Sequence, residues 1–129
     1  MKKIESNNAP KAIGPYSQAT EAAGIIFLSG QIPIDPKTGK LVEANIEIQT
    51  RQVLANIEAI LKEAGLGFEN VLKVEIYVKD ISHFQIINGI YAEAFCHPIK
   101  PARQLMEVAR LPLDSLIEIS CIATSSCSQ

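Results

Sequence analysis

SHFQIINGIYAEAF, Ser82 to Phe95, can be read as a helix or as a hairpin, and the architecture follows from the choice. Asn88-Gly89 between apolar runs is a strong signal for a tight β-hairpin. Against it, Ser82-His83-Phe84-Gln85 has the form of a capping box. Phe84, Ile87, Tyr91, Ala94 and Phe95 also recur on one helical stripe that ends near Pro98. A start, a stripe and a stop outweigh one dipeptide, so the spacing predicts a helix.

The segments on either side supply its packing partners. Val71 to Lys79 alternates, with Leu72, Val74, Ile76 and Val78 on one face and Lys73, Glu75, Tyr77 and Lys79 on the other, as a one-sided strand would. Before it, Val53, Leu54, Ile57, Ile60, Leu61 and Ala64 recur at helical spacing between Asn45 and Ala64, and Gly65 supplies a stop. Asp35-Pro36-Lys37-Thr38-Gly39 is dense in turn formers and reads as a loop. Ser17 to Ala22 and Ile25 to Ser29 form an expected hairpin about Gly24, with the second strand apolar enough to be buried on both faces. A polar leader and an extended Ile13-Gly14-Pro15-Tyr16-Ser17 precede it. Downstream, Ala102 to Ala109 and Leu116 to Ala123 read as strands joined through Leu111-Pro112-Leu113-Asp114-Ser115, and the tail from Thr124 to Gln129 as frayed.

The resulting order, β-β-α-β-α-β-β, predicts an α+β fold in which two amphipathic helices pack on one face of a single sheet. The other face, expected to carry Tyr77, Leu105 and Ile122 with a few charges, is too apolar to be left wet. A homo-oligomer would cover it.

Composition bounds the function. The 129 residues fit one domain, 1–129. No apolar run approaches the roughly 20 residues that span a bilayer. Glu5, Ser6, Asn7 and Asn8 follow Lys2-Lys3 where a signal peptide needs an apolar core, which points to a cytoplasmic address. Cys96, Cys121 and Cys127 lack Cys-x-x-Cys spacing and read as reduced thiols. The net charge of −2 and the scattering of 12 Lys and Arg residues argue against nucleic acid as a partner.

Chemistry-bearing motifs are few. His83 and His97 have no companions at metal-ligand spacing, so no metal is expected and His83 reads as exposed. There is no nucleophile elbow, Walker loop or dinucleotide fingerprint. Gly30, after Ser29, is either a turn glycine or a point of close backbone approach. In KPARQLMEVARLP, Lys100 to Pro112, alternation puts Arg103 on one face with Leu105 and Glu107; in the last strand Glu118 shares a face with Ser120 and Ile122. Were the two strands neighbours, Arg103 and Glu118 could share a face. They would then form either a cross-strand ion pair, worth about 0–1 kcal/mol if exposed, or a site in which Arg103 grips a carboxylate while Glu118 handles a proton or a water. Spacing leaves both open.

Several segments together resemble the RidA/YjgF family of reactive-intermediate deaminases: Ile13 to Ala19, Ser29-Gly30-Gln31-Ile32-Pro33, Asn88 with Tyr91, Pro101-Ala102-Arg103, Val108 to Pro112 and Ile117-Glu118-Ile119. The resemblance runs almost end to end. It implies a chorismate-mutase-like fold, a homotrimer with sites between subunits, and cofactor-free hydrolysis of small 2-imino acids such as 2-iminobutanoate and 2-iminopropanoate to 2-oxo acids and ammonia. By that likeness Arg103 binds the substrate carboxylate and Glu118 positions or activates water, while Tyr16, Ser29, Gly30 and Asn88 line the cleft. Many relatives have a cysteine two residues beyond the arginine; here Leu105 stands there, which removes thiol chemistry and narrows the cleft. Some proteins resembling the family are described as ribonucleases or translation inhibitors, and a non-catalytic module for small carboxylates is a third reading.

Overall fold

The computed structural model describes residues 1–125. Its main sheet has six strands in the order β1-β2-β3-β8-β6-β7: β1 (Lys2–Ile4), β2 (Ala19–Ala22), β3 (Ile25–Gln31), β8 (Ile117–Thr124), β6 (Val71–Val78) and β7 (Ala102–Glu107). A two-stranded ribbon, β4 (Ile34–Asp35) and β5 (Lys40–Leu41), closes about the turn predicted at Asp35 to Gly39. The helices are α1 (Ile46–Glu63) and α2 (Phe84–Ala94). All strand pairs of the main sheet are antiparallel except β6 with β7, which α2 joins as a crossover.

The helical reading of Ser82 to Phe95 holds, but its start differs. Ser82 caps nothing; instead the Asp80 carboxylate accepts from Ser82 N at 2.9 Å and starts a 3₁₀ turn, Ile81–His83, that leads into α2. Ile87, Ile90, Tyr91 and Phe95 are the buried stripe, whereas Phe84 stays exposed. Gly89 sits on the exposed side of the helix, where its cost of about 1 kcal/mol relative to alanine is outweighed by burial of its neighbours. His83 is half-buried rather than exposed. In α1 the expected boundaries stand: Asn45 Oδ1 accepts from Ile48 N at 3.0 Å, and Gly65 adopts φ +77° past the last turn.

Both helices cover one face of the sheet. Val74, Ile76, Val78, Ile117, Ile119, Cys121, Ile26 and Leu28 meet Val53, Ile57, Ile60, Leu61, Ile87 and Tyr91 in one core. Two strand expectations need correction. Leu72 does not join Val74: a register shift between Val71 and Lys73 against β8 turns Leu72 outward and Val71 inward. β3 is not buried on both faces, since its burial alternates and Phe27 is 51% exposed on the face away from the helices. The polar leader also contributes structure, because β1 pairs with β2. At the other end, Thr124 pairs with Ile25 and Ser125 N donates to Gly24 O, so these two residues are ordered; the rest of the expected frayed tail lies outside the described residues.

Candidate active-site cleft

β3 and β8 lose register at one place: Leu28 pairs with Cys121, yet Gln31 pairs with Ile119, so three steps on β3 face two on β8. The extra residue makes a bulge at Ser29 and Gly30, the kind of irregularity that re-aims side chains beside active sites. Ser29 Oγ donates to Ser17 O at 2.6 Å, which ties the bulge to the Gly14-to-Ser17 segment. Gly30 is not a turn glycine. A Cβ placed there would lie 2.9 Å from the Glu118 carboxyl carbon, so any larger residue would displace the carboxyl from its place over this backbone.

Glu118 therefore lies over the Gly30 backbone, at the wall of a cleft of about 510 Å³. Tyr16, Ser29 and Gly30 line it with Glu118, and Pro10, Ile13, Ile32, Ile34, Pro112 and Leu113 give it an apolar character. Burial pushes the Glu118 carboxyl above its ordinary value, and among the described residues no cation comes within ion-pair distance of it. A carboxyl so placed can hold a proton and release it, as general acid-base chemistry requires.

Three buried amides position the loops around this cleft. Gln18 Oε1 accepts from Ser6 N at 2.6 Å and Gln18 Nε2 donates to Pro10 O at 2.8 Å, which folds the leader over it. Asn56 Nδ2, from α1, donates to Ile34 O at 3.0 Å, and Gln49 Oε1 accepts from Leu116 N at 2.9 Å just before β8. Buried amides are costly unless paired, so each bond specifies one loop position.

Arg103 is elsewhere. It lies on β7, an edge strand, opposite Val74 of β6, and Val74 in turn pairs with Cys121 of β8 on the helix-covered face. Glu118 pairs with Tyr77, whose side chain alternates to the other face. β7 and β8 are not neighbours, since β6 separates them, so the expectation that Arg103 and Glu118 share a face within the chain fails. Two strand spacings, roughly 10 Å, and the sheet itself keep them apart. Leu105 is corrected likewise: it pairs with Ile76 and packs, partly buried, against the core rather than on the open face.

The guanidinium is nonetheless held in place. Arg103 Nη1 donates to Asn88 Oδ1 at 2.7 Å, and its central carbon lies 4.8 Å from the centroid of the Tyr91 ring. Among the described residues no carboxylate pairs with it, which leaves its remaining donors for an anion. Tyr91 itself stays a neutral phenol, its pKa pushed up to about 12 by burial despite the nearby Arg103.

The predicted site residues thus separate into two groups: Tyr16, Ser29, Gly30 and Glu118 at the cleft, and Asn88, Arg103 and Leu105 at the β7 edge with α2. Periodicity could not find the leader and loop residues that complete the cleft, because they belong to no repeating element. Periodicity marks Tyr91 only as part of a core stripe, and the family resemblance includes it beside Asn88 without giving it a role. Cys121 is buried with its thiol pushed up to about 12, and Cys96 is exposed and free; Cys127 lies outside the described residues. A second groove of about 500 Å³, between α1 and α2 and lined by Arg51, Glu58, Phe68, Glu93 and His97, holds none of the predicted site residues. No helix among the described residues is long and apolar enough to cross a membrane.

The chain is similar to known proteins over nearly its whole length. Residues 6–125 match the family model described as Endoribonuclease L-PSP. The RutC family protein PH0854 of Pyrococcus horikoshii is 56% identical over 120 residues, spanning 93% of this chain and 94% of that one. The chloroplastic Reactive Intermediate Deaminase A of Arabidopsis thaliana is 46% identical over 121 residues, 94% of this chain and 64% of that protein. The crystal structure of E. coli TdcF with bound serine superposes with a TM-score of 0.93 at 39% identity, covering 98% of this chain and 100% of that one.

Proposed function

Because this chain belongs to the RidA/YjgF family and has its chorismate-mutase-like α+β fold, we propose that it hydrolyses 2-imino acids, among them 2-iminobutanoate and 2-iminopropanoate, to 2-oxo acids and ammonia without a cofactor. One observation carries the reading: a guanidinium pre-oriented by Asn88 at a sheet edge has no carboxylate partner among the described residues, while the Glu118 carboxyl at the cleft has none of their cations within ion-pair distance, although exposed Lys11 lines the same cleft. Each group supplies what the other needs. Since they lie on opposite faces of one sheet, a second copy of the chain brings them together, with Arg103 of one subunit entering the Glu118 cleft of the next.

A homotrimer with three such clefts is the assembly proposed. The face away from the helices supports it, because Phe27, Tyr77, Met106 and Ile122 would otherwise remain partly in water.

In this assembly Arg103 binds the substrate carboxylate through its fork and keeps its charge at any working pH. Glu118, as the carboxylate, takes a proton from water as the water oxygen bonds to C2 and the C=N electron pair moves to nitrogen, which then receives that proton from Glu118. In the collapse of the carbinolamine Glu118 passes the hydroxyl proton to the nitrogen as the C–N bond breaks and C=O forms, which releases ammonia, leaves the 2-oxo acid and returns the carboxylate. Serine bound to TdcF fits a family site of amino-acid size.

The test couples the protein to a threonine dehydratase with semicarbazide present. Wild type should suppress the trapped imine product, after dialysis against a chelator as before it. Arg103→Ala and Glu118→Gln should each fail alone. Mixed after co-refolding they should regain activity, because about one quarter of the shared sites in a randomly assembled ring carry both intact groups. Failure of the wild type sinks the reading. RNA cleavage that keeps constant specific activity through purification and vanishes in Arg103→Ala would replace it with the ribonuclease alternative.

A further inference from the structure

Pro112-Leu113-Asp114 is the strained part of the cleft wall. Leu113 has φ 56° and ψ 22°, and Asp114 has φ 57°, a left-handed conformation that a leucine rarely adopts. The turn is braced on both sides. The Arg110 guanidinium grips the Asp114 carboxylate at 2.8 and 3.3 Å, Asp114 N donates to Leu111 O at 3.0 Å, and Ser115 N donates to Pro112 O at 3.1 Å. Leu111 and Ser115, at the two ends, are buried.

All this restraint places a leucine where folding gains nothing from it. Leu113 is 61% exposed and belongs to no core cluster, yet it lines the cleft that holds Glu118, together with Ile13, Ile32 and Ile34. Backbone strain kept around an exposed apolar side chain at a reactive cleft is a mark of function. We infer that Leu113 is a specificity-determining residue: it forms the wall against which the aliphatic side chain of the 2-imino acid packs, and it favours substrates with longer, branched chains over 2-iminopropanoate.

This rests on the deaminase reading above and deepens it. Leu113 takes no part in proton transfer or carboxylate binding, so its removal should alter selectivity without abolishing turnover.

Imines generated in situ from leucine and from alanine by an amino-acid oxidase, with semicarbazide as trap, provide the comparison. Wild type should show the higher kcat/KM for the leucine-derived imine. Leu113→Ala and Leu113→Gly should each lose about tenfold on that substrate, the scale of one or two apolar contacts, and stay within about twofold on the alanine-derived one. Leu113→Gly should also melt no lower than wild type, since glycine accepts the positive φ without strain. Equal losses on both substrates, or none, overturn the inference while leaving the deaminase reading intact. A changed oligomeric mass in Leu113→Ala overturns it too, by making Leu113 an assembly residue. If wild type accelerates neither imine, the deaminase reading fails and this inference with it.

Discussion

The two faces of the sheet follow different rules. On the helix-covered face Val74, Ile76, Val78, Ile117 and Ile119 are almost completely buried, and selection there is for shape. On the other face Lys73, Glu75, Tyr77, Glu118, Ser120 and Ile122, half-buried, and Phe27, Gln104 and Met106, exposed, mix apolar and polar groups. Arg103 extends from the edge of the first face and Glu118 stands on the second. The contrast teaches that one chain completes its core on one face, while Arg103 and Glu118, the two groups of the proposed site, stay apart on opposite faces.

The largest test of that contrast is Glu118→Gln, which keeps the side chain's size and removes its proton chemistry. It should lower kcat by about 10² to 10⁴ with little change in far-UV circular dichroism; near-normal turnover would remove Glu118 from the reaction. Next comes a matched pair of truncations followed by denaturant unfolding. Ile76→Ala, on the closed face, should cost about 2–5 kcal/mol. Phe27→Ala, on the open face, should change subunit unfolding by less than about 1 kcal/mol and instead weaken assembly, seen in sedimentation at falling concentration. Equal costs at the two positions would erase the distinction between the faces.

A smaller effect is expected from Arg103→Lys. The charge remains, but the fork and its geometry with Asn88 are lost, so KM should rise about tenfold with kcat less affected. An unchanged KM would show that charge alone suffices. The smallest is a matter of linkage. Burial raises the Glu118 carboxyl, so the folded state binds that proton more tightly than the unfolded state and stability falls as pH rises from the ordinary carboxyl value through the raised one. Glu118→Gln should therefore gain on wild type as pH rises above the ordinary carboxyl value, read as a difference in denaturant midpoints; a gain that runs the other way contradicts the burial.

Element identity was largely legible along the chain. Asn45, the stripe to Ala64 and Gly65 mark α1 with its cap and its stop. The stripe through Ile87, Tyr91 and Phe95 prevailed over Asn88-Gly89, because burial of a helical face outweighs a local turn preference. What failed were positions set by partners. Leu72 turns outward through a register shift that exists only against β8, and Phe27 is exposed because nothing among the described residues covers that face.

Arg103 and Glu118 show the same limit at the site. Alternation correctly put Arg103 beside Leu105 and Glu118 beside Ser120, since side-chain parity is a property of a single strand. Which strand lies next to which is a property of the sheet, and β6 occupies the place between them. Local residue order thus sufficed for both helices, the longer strands and the types of group available for chemistry, but not for the start of α2, where Asp80 rather than Ser82 makes the cap, nor for β1. The bulge that brings Gly30 against Glu118 and the separation of Arg103 from Glu118 arise from long-range pairing, whose energy depends on contacts between residues far apart in the chain.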